Sequence, residues 1–170
     1  MSRLRTVLNA SLEKIAMSMN LENKSILEIG IAGDDKPSGS YQFFGKGNKW
    51  TTVDKNPKWG PDFVDDITQS NFKDNEFDLV IMTQTLEHIW DYNKALSELY
   101  RITSDYLIID CPFLYEFHQD YLRPCSWEEW DDYWRFTPAA FRKLLLGAGF
   151  KTVNVTFSNE NTLAVCRKHL

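Results

Sequence analysis

The chain has 170 residues, enough to bury one core and consistent with a single domain over residues 1–170. Hydrophobic residues make up 43 %, aromatic residues 14 % and charged residues 25 %, a composition that argues against a disordered chain. The net charge of −5 argues against a nucleic-acid partner, which would need a basic stripe, and no apolar run approaches the ~20 residues of a membrane span.

Residues 1–20 carry Leu4, Val7, Leu8, Leu12, Ile15, Ala16 and Met19 at helical spacing, which predicts an amphipathic helix over 3–19. Glu13 interrupts any secretory apolar stretch, and the three cysteines, Cys111, Cys125 and Cys166, are odd in number and far apart. Both features fit reduced thiols in a cytoplasmic protein; no C-x-x-C spacing suggests a metal. Next comes "KSILEIG" (24–30), an almost continuous apolar run closed by glycine, which predicts a fully buried strand. Further strands are expected at "KWTTVD" (49–54), "DFVDDI" (62–67), "EFDLVIMT" (76–83) and "DYLIIDC" (105–111). Between the last two, Ala95, Leu96, Leu99 and Ile102 form one helical stripe. Thr137 and Pro138 read as an N-cap and first helical residue opening a helix that Gly147 and Gly149 end. Two last strands, "FKTVNVTF" and "TLAVCRK", flank the turn "SNEN" as an antiparallel hairpin. The fold class is therefore α/β: a Rossmann-like, seven-stranded, mostly parallel sheet with helices on both faces and a C-terminal antiparallel hairpin.

In such a sheet ligands sit beyond the carboxyl ends of the strands, so the turn after "SILEIG" should face one. That turn carries Asp34 and Asp35, and Glu28 lies inside the apolar run before it. A dinucleotide is a poor match, because the G-x-G-x-x-G spacing is missing and the acids would repel a pyrophosphate. A phosphate loop is excluded by the absence of Gly-Lys-Ser/Thr. A cationic ligand removes the conflict, and S-adenosylmethionine carries both an ammonium and a sulfonium.

The ordered set "LEIG", "TVDKN", "DDI", "FDLVIMTQTLEHI" and the terminal hairpin resembles the class I S-adenosylmethionine-dependent methyltransferases over residues 25–167. "FDLVIMTQTLEHI" resembles the (V/L)-L-E-H segment of the small-molecule enzymes. "DYWRFT" with its later "AGF" is similar to the tail of a branch linked to sugar and cell-surface glycan pathways. The resemblance implies that Glu28, Gly30 and Ile31 flank the methionine end of the cofactor. It places Asp54, with Lys55 beside it, on the ribose hydroxyls, Asp66 and Ile67 at the adenine, and Thr83 and Gln84 beneath the sulfonium. One departure is that Ala32 and Asp34 stand where the family's E-x-G-x-G-x-G turn has its second and third glycines. Another is "TSDY" in place of a Gly-Gly pair before the fifth strand.

Residues 112–136, "PFLYEFHQDYLRPCSWEEWDDYWRF", lie where a substrate lid belongs and are too aromatic for a passive loop. His118 is the leading general base for an acceptor hydroxyl, and Asp132 would orient or replace it. A surface histidine is an equal alternative. Arg135 would clamp a substrate anion, or else pair with Asp131 or Asp132. Tyr133 and His88 would line the acceptor pocket, or else pack and hold local hydrogen bonds. The spacing of Trp127, Trp130 and Trp134 suggests a short packed helix. "DCPF" (110–113) and "RPCS" (123–126) look like motifs of nucleic-acid methylation but fall after the wrong strand and in an acidic chain. The sequence thus predicts a methyltransferase of a small molecule with S-adenosylmethionine as cofactor and no metal. The acceptor expected is a hydroxyl of a sugar or related metabolite. A non-catalytic module of the same fold is the principal alternative and a nicotinamide oxidoreductase the lesser one.

Overall fold

The computed structural model describes residues 3–31, 40–114, 132–158 and 160–169. Helix α1 (Arg3–Met19) leads into β1 (Ser25–Ile29), followed by α2 (Tyr41–Phe44), β2 (Lys49–Asp54), β3 (Phe63–Val64), β4 (Phe77–Thr83), α3 (Tyr92–Ile102), β5 (Thr103–Pro112), α4 (Pro138–Gly147), β6 (Thr152–Ser158) and β7 (Asn161–Arg167). The strands form one seven-stranded sheet in the order β3-β2-β1-β4-β5-β7-β6. β1 to β5 pair in parallel, and β7 pairs antiparallel with both β5 and β6.

Period-two alternation in the central strands builds two cores. Ile26, Leu79, Ile81 and Ile108 face one way, against Leu8 and Leu12 of α1 and Phe44 of α2. Leu27, Ile29, Val80, Met82, Leu107 and Ile109 face the other way, against Leu96 and Leu99 of α3 and Phe141 and Leu145 of α4. Both faces of β1, β4 and β5 are thus covered, which explains their continuous apolar runs. Helix α3 starts where Asp91 accepts from the Lys94 N–H at 3.2 Å, and α4 where the Thr137 hydroxyl accepts from the Ala140 N–H at 3.2 Å. Gly147 belongs to α4, and the chain turns at Gly149 (φ +118°), where an added Cβ would lie 2.9 Å from the Tyr100 ring.

Two expectations change. The third strand is reduced to Phe63–Val64, because Asp66 caps a 3₁₀ turn over Ile67–Gln69 where the strand was expected to continue. Trp134 lies in a non-helical stretch before α4, with its indole N–H donating to the Ile89 carbonyl at 3.0 Å. Trp127 and Trp130 lie outside the described residues, as do residues 115–131 of the expected lid, with His118 and Cys125 among them. Ala32, Asp34 and Asp35 lie outside them too. Cys111 and Cys166 are buried free thiols. Desolvation pushes the Cys111 thiol well up and the Cys166 thiol up to about 12, so neither is a nucleophile.

Candidate functional site

The strand order reverses between β1 and β4, and the crevice at their carboxyl ends is the expected ligand site. Gly30 leaves β1 at φ +77°, its N–H donating to the Val53 carbonyl at 3.0 Å. A Cβ there would fall 2.1 Å from Oγ1 of Thr85, which follows β4. Only glycine allows the two chain exits to approach this closely. Glu28, one register step behind, is buried and paired with Thr52 on β2 and Ile81 on β4.

Asp54 ends β2 beside this exit. Its Oδ2 accepts from the Ile31 N–H at 3.1 Å and its Oδ1 from the Asn56 N–H at 2.8 Å. The two bonds fix the carboxylate in place, and each oxygen keeps acceptor capacity for a vicinal diol. Lys55 is exposed at the start of the following turn. Of the two acids after β3, Asp65 staples the loop, accepting from Asp66 N–H, Asn71 N–H and Asn71 Nδ2. Asp66 is exposed, and its Oδ1 accepts from the Thr68 N–H and hydroxyl at 2.8 and 2.9 Å. Ile67 beside it is buried.

A second group of polar residues gathers at the carboxyl ends of β4 and β5 and the start of β7. Gln84 follows Thr83 with φ +49°. Its backbone N–H donates to Asp110 Oδ1 at 3.1 Å and its Nε2 to Asp110 Oδ2 at 2.9 Å. Asn161 Nδ2 donates to the same Oδ2 at 3.2 Å. Asp110 and Glu87 are both fully buried. Desolvation drives the Glu87 carboxyl well above the usual carboxylate range; the N–H of its own backbone and Arg135 oppose the rise, and Asp110 and Asp132 add to it. His88 Nε2 is 3.8 Å from Glu87 Oε1. Both Glu87 carboxylate oxygens, Gln84 Oε1 and Asn161 Oδ1 are buried without a hydrogen-bond partner among the described residues.

Backbone bonds tie this group to the stretch before α4, since the Glu87 carbonyl accepts from the Tyr133 and Trp134 N–H groups at 2.8 and 3.3 Å. There Arg135 forms a two-pronged ion pair with the buried Asp132 and donates to the Trp134 carbonyl at 2.8 Å. Of its two sequence readings, Arg135 therefore takes the pairing with Asp132. That pairing spends the charge an anion clamp would use, and it engages the carboxylate proposed to assist His118. Tyr133 is half-exposed, with its ring 5.3 Å from that of Trp90, which is 68 % exposed.

Glu87, Asp110 and Asn161 were not singled out from the sequence as site residues. For Asp110 the signal existed: an acid inside "LIID", the same pattern that drew attention to Glu28. Asn161 arrives through the antiparallel register of β7 against β5, opposite Pro112, which no local motif encodes. Among the described residues no group of three His, Cys, Asp or Glu side chains could hold a metal ion. No described helix is long and apolar enough to cross a membrane.

Residues 48–106, from β2 into β5, match the family model of a methyltransferase domain. A 49-residue stretch is 45 % identical to the demethylmenaquinone methyltransferase of Streptomyces avermitilis; it is 29 % of this chain and 21 % of that enzyme. The chain therefore matches only about a fifth of the length of this curated relative. Among solved structures, the carbon methyltransferase of CurJ superposes with a TM-score of 0.70 at 16 % identity, covering 94 % of this chain and 54 % of that one. The fold is that of the class I methyltransferases. The 1,6-didemethyltoxoflavin-N1-methyltransferase of Burkholderia thailandensis, solved with S-adenosylhomocysteine, gives 0.66 at 16 % identity over 94 % of this chain and 77 % of its own. A methyltransferase from Methanosarcina mazei gives 0.65 at 19 % over 91 % and 97 %.

Proposed function

We propose that this protein transfers a methyl group from S-adenosylmethionine to a small molecule, with a hydroxyl of a sugar or related metabolite as the acceptor. The observation that carries the cofactor half is the geometry of the strand ends: Gly30 packed closely against Thr85, next to an Asp54 carboxylate held by two backbone N–H groups. Asp54 would take both ribose hydroxyls, while Ile31 and Lys55 border them. Gly30 and Glu28 would receive the methionine end, where a carboxylate favours its ammonium. Asp66 and Ile67 would border the adenine, and Thr83 and Gln84 the reacting centre. The cofactor supplies an already activated methyl group. The protein's contribution is then mainly alignment, worth several kcal/mol in order-of-magnitude terms, plus assistance to the departing proton.

His118, Tyr133, His88, Asp132 and Arg135 are read as the acceptor side. The sugar-like acceptor is supported by the "DYWRFT" tail and by the exposed Trp90 and Tyr133 rings at the same end of the sheet. The acidic balance of the chain supports a small-molecule acceptor over nucleic acid. Titration calorimetry with S-adenosylmethionine and S-adenosylhomocysteine tests the cofactor, with micromolar binding expected. Following radiolabelled methyl into a panel of metabolites tests the reaction. Tight binding with no turnover of any acceptor would favour the non-catalytic module, and no binding at all would refute the assignment.

A further inference from the structure

Four buried polar oxygens at the carboxyl end of the sheet have no hydrogen-bond partner among the described residues: both of Glu87, Oε1 of Gln84 and Oδ1 of Asn161. A buried acceptor without a donor is costly, so a cluster of them at one end of a sheet asks for an explanation. The orientation of the two amide oxygens is set by Asp110. Its Oδ2 takes the NH₂ ends of both Gln84 and Asn161, which turns both amide carbonyls away from it. Inverting either amide would set two oxygens face to face. The sequence thus uses one buried carboxylate to point two acceptors, and Glu87 supplies the rest.

This array calls for hydrogen-bond donors. It also repels anions: Glu87, Asp110 and Asp132 lie together, and the neighbouring cation, Arg135, is paired with Asp132. Beside it the Trp90 and Tyr133 rings are exposed and edge to face, a surface suited to the C–H face of a sugar ring.

We propose that Glu87 is the general base of the methyl transfer, and that Gln84 and Asn161, aimed by Asp110, bind hydroxyl groups of a neutral, polyhydroxylated acceptor. This rests on the methyltransferase reading above. The acceptor oxygen bonds the methyl carbon as the carbon–sulfur bond breaks, its electron pair staying on sulfur. The hydroxyl proton passes to the Glu87 carboxylate and leaves to water with the products. Asp110 is a positioning residue here and touches no substrate.

Among the described residues, the groups facing Glu87 are Asp110 and Cys111 on β5, Asp132 and Arg135 before α4, and His88 on its own turn. Their acidic excess keeps the base protonated at low pH, so the rate should rise with pH along a limb of unit slope.

The test compares wild-type protein with Glu87→Gln and Glu87→Asp, using S-adenosylmethionine and a panel of inositol, glucose and rhamnose beside glucose 6-phosphate and glucuronate. Calorimetry with S-adenosylhomocysteine is run on every protein. Expected are turnover of neutral alcohols over the anionic ones by tenfold or more, and a kcat for Glu87→Gln lower by about 100-fold or more. Glu87→Gln should lose the pH limb, Glu87→Asp should keep it at a reduced rate, and cofactor affinity should stay within threefold in both. Wild-type turnover with Glu87→Gln equally active, or with its pH limb intact, overturns the inference while leaving the methyltransferase reading in place. Preference for an anionic acceptor, or turnover of no neutral alcohol, also overturns it. Failure of the wild-type protein to bind S-adenosylhomocysteine removes the reading itself, and the inference with it.

Discussion

The two ends of the sheet treat their polar groups in opposite ways. At the amino end of the parallel strands Lys168, Arg101 and Asp78 are each held by several partners. Lys168 Nζ donates to Asn75 Oδ1 at 2.6 Å and to the Tyr100 and Thr103 carbonyls at 2.7 and 2.9 Å, and it lies 4.4 Å from the centre of the Tyr100 ring. Arg101 is held by Glu98, Asp74 and the Phe72 and Ser70 carbonyls. Ser25 and Asp78 exchange bonds across β1 and β4, and the Asn48 side chain bridges Lys24, Leu21 and Phe44. At the carboxyl end, buried acceptors are left open and a carboxylate is fixed by backbone alone. One end spends its polar groups on holding the fold together, and on the function proposed above the other keeps them for a ligand. Substitutions at the two ends should therefore move different observables.

The largest effect is expected at Asp54. Asp54→Ala removes the acceptor for Ile31 and Asn56 and the proposed ribose contact together. Calorimetry should show S-adenosylhomocysteine binding weakened by about 100-fold or more, as for loss of a charge-assisted pair in a desolvated site. A Kd within threefold of wild type would break the contrast. Lys168→Met is its counterpart at the other end. It strips four carbonyl-type acceptors of their donor and should lower stability by about 2–4 kcal/mol in chemical denaturation, with cofactor affinity unchanged.

Gly30→Ala probes the crevice from the backbone side. The new Cβ meets Thr85 and must also accept φ +77°, a strain of about 1–2 kcal/mol before the clash is counted. Removing the three Thr85 atoms in a Gly30→Ala, Thr85→Gly double variant should recover the clash but not the backbone term. Melting temperatures of the two single variants and the double variant would measure each separately. Equal stability of single and double variants would mean that Thr85 moves aside without cost.

How much of this could be read beforehand depended on the range of the signal. Strands β1, β4 and β5 were legible because both their faces are covered and leave uninterrupted apolar runs, and α3 and α4 because Asp91, Thr137 and Pro138 are local start signals. The crevice followed from Glu28, Gly30 and Asp54 falling at strand ends. β3 was overdrawn because Phe63, Val64 and Ile67 were read as one short apolar strand, while the intervening acids in fact cap and staple a turn around Ile67. The acceptor array was illegible for a stronger reason. Asp110 meets Asn161 only when β7 runs back along β5, a pairing 51 residues apart that no window of sequence contains. Arg135 could be read two ways until packing placed it on Asp132.

The smallest and most diagnostic effect concerns the pH dependence of stability. Glu87 is surrounded by Asp110, Asp132 and Cys111, with its own backbone N–H and Arg135 as the opposing groups, and burial raises its carboxyl well above the usual range. In the unfolded chain it ionises near 4.5, so above that pH the native state holds a proton that the unfolded state has released. Stability from this group is complete at low pH and declines as pH rises, by about 1.4 kcal/mol per pH unit until Glu87 ionises in the native state. Glu87→Gln cannot ionise and escapes that decline. Its stability relative to wild type should therefore climb with pH over the same window, in denaturant titrations at fixed ionic strength. Asp78 at the opposite end supplies the control. Burial opposes its ionisation, but the Ser25 N–H and hydroxyl and Lys24 outweigh that and hold it below the usual range, so its contribution is lost only as pH falls. A flat difference between Glu87→Gln and wild type would mean that the open oxygens of Glu87 find a donor in solution, and the two ends of the sheet would then be alike.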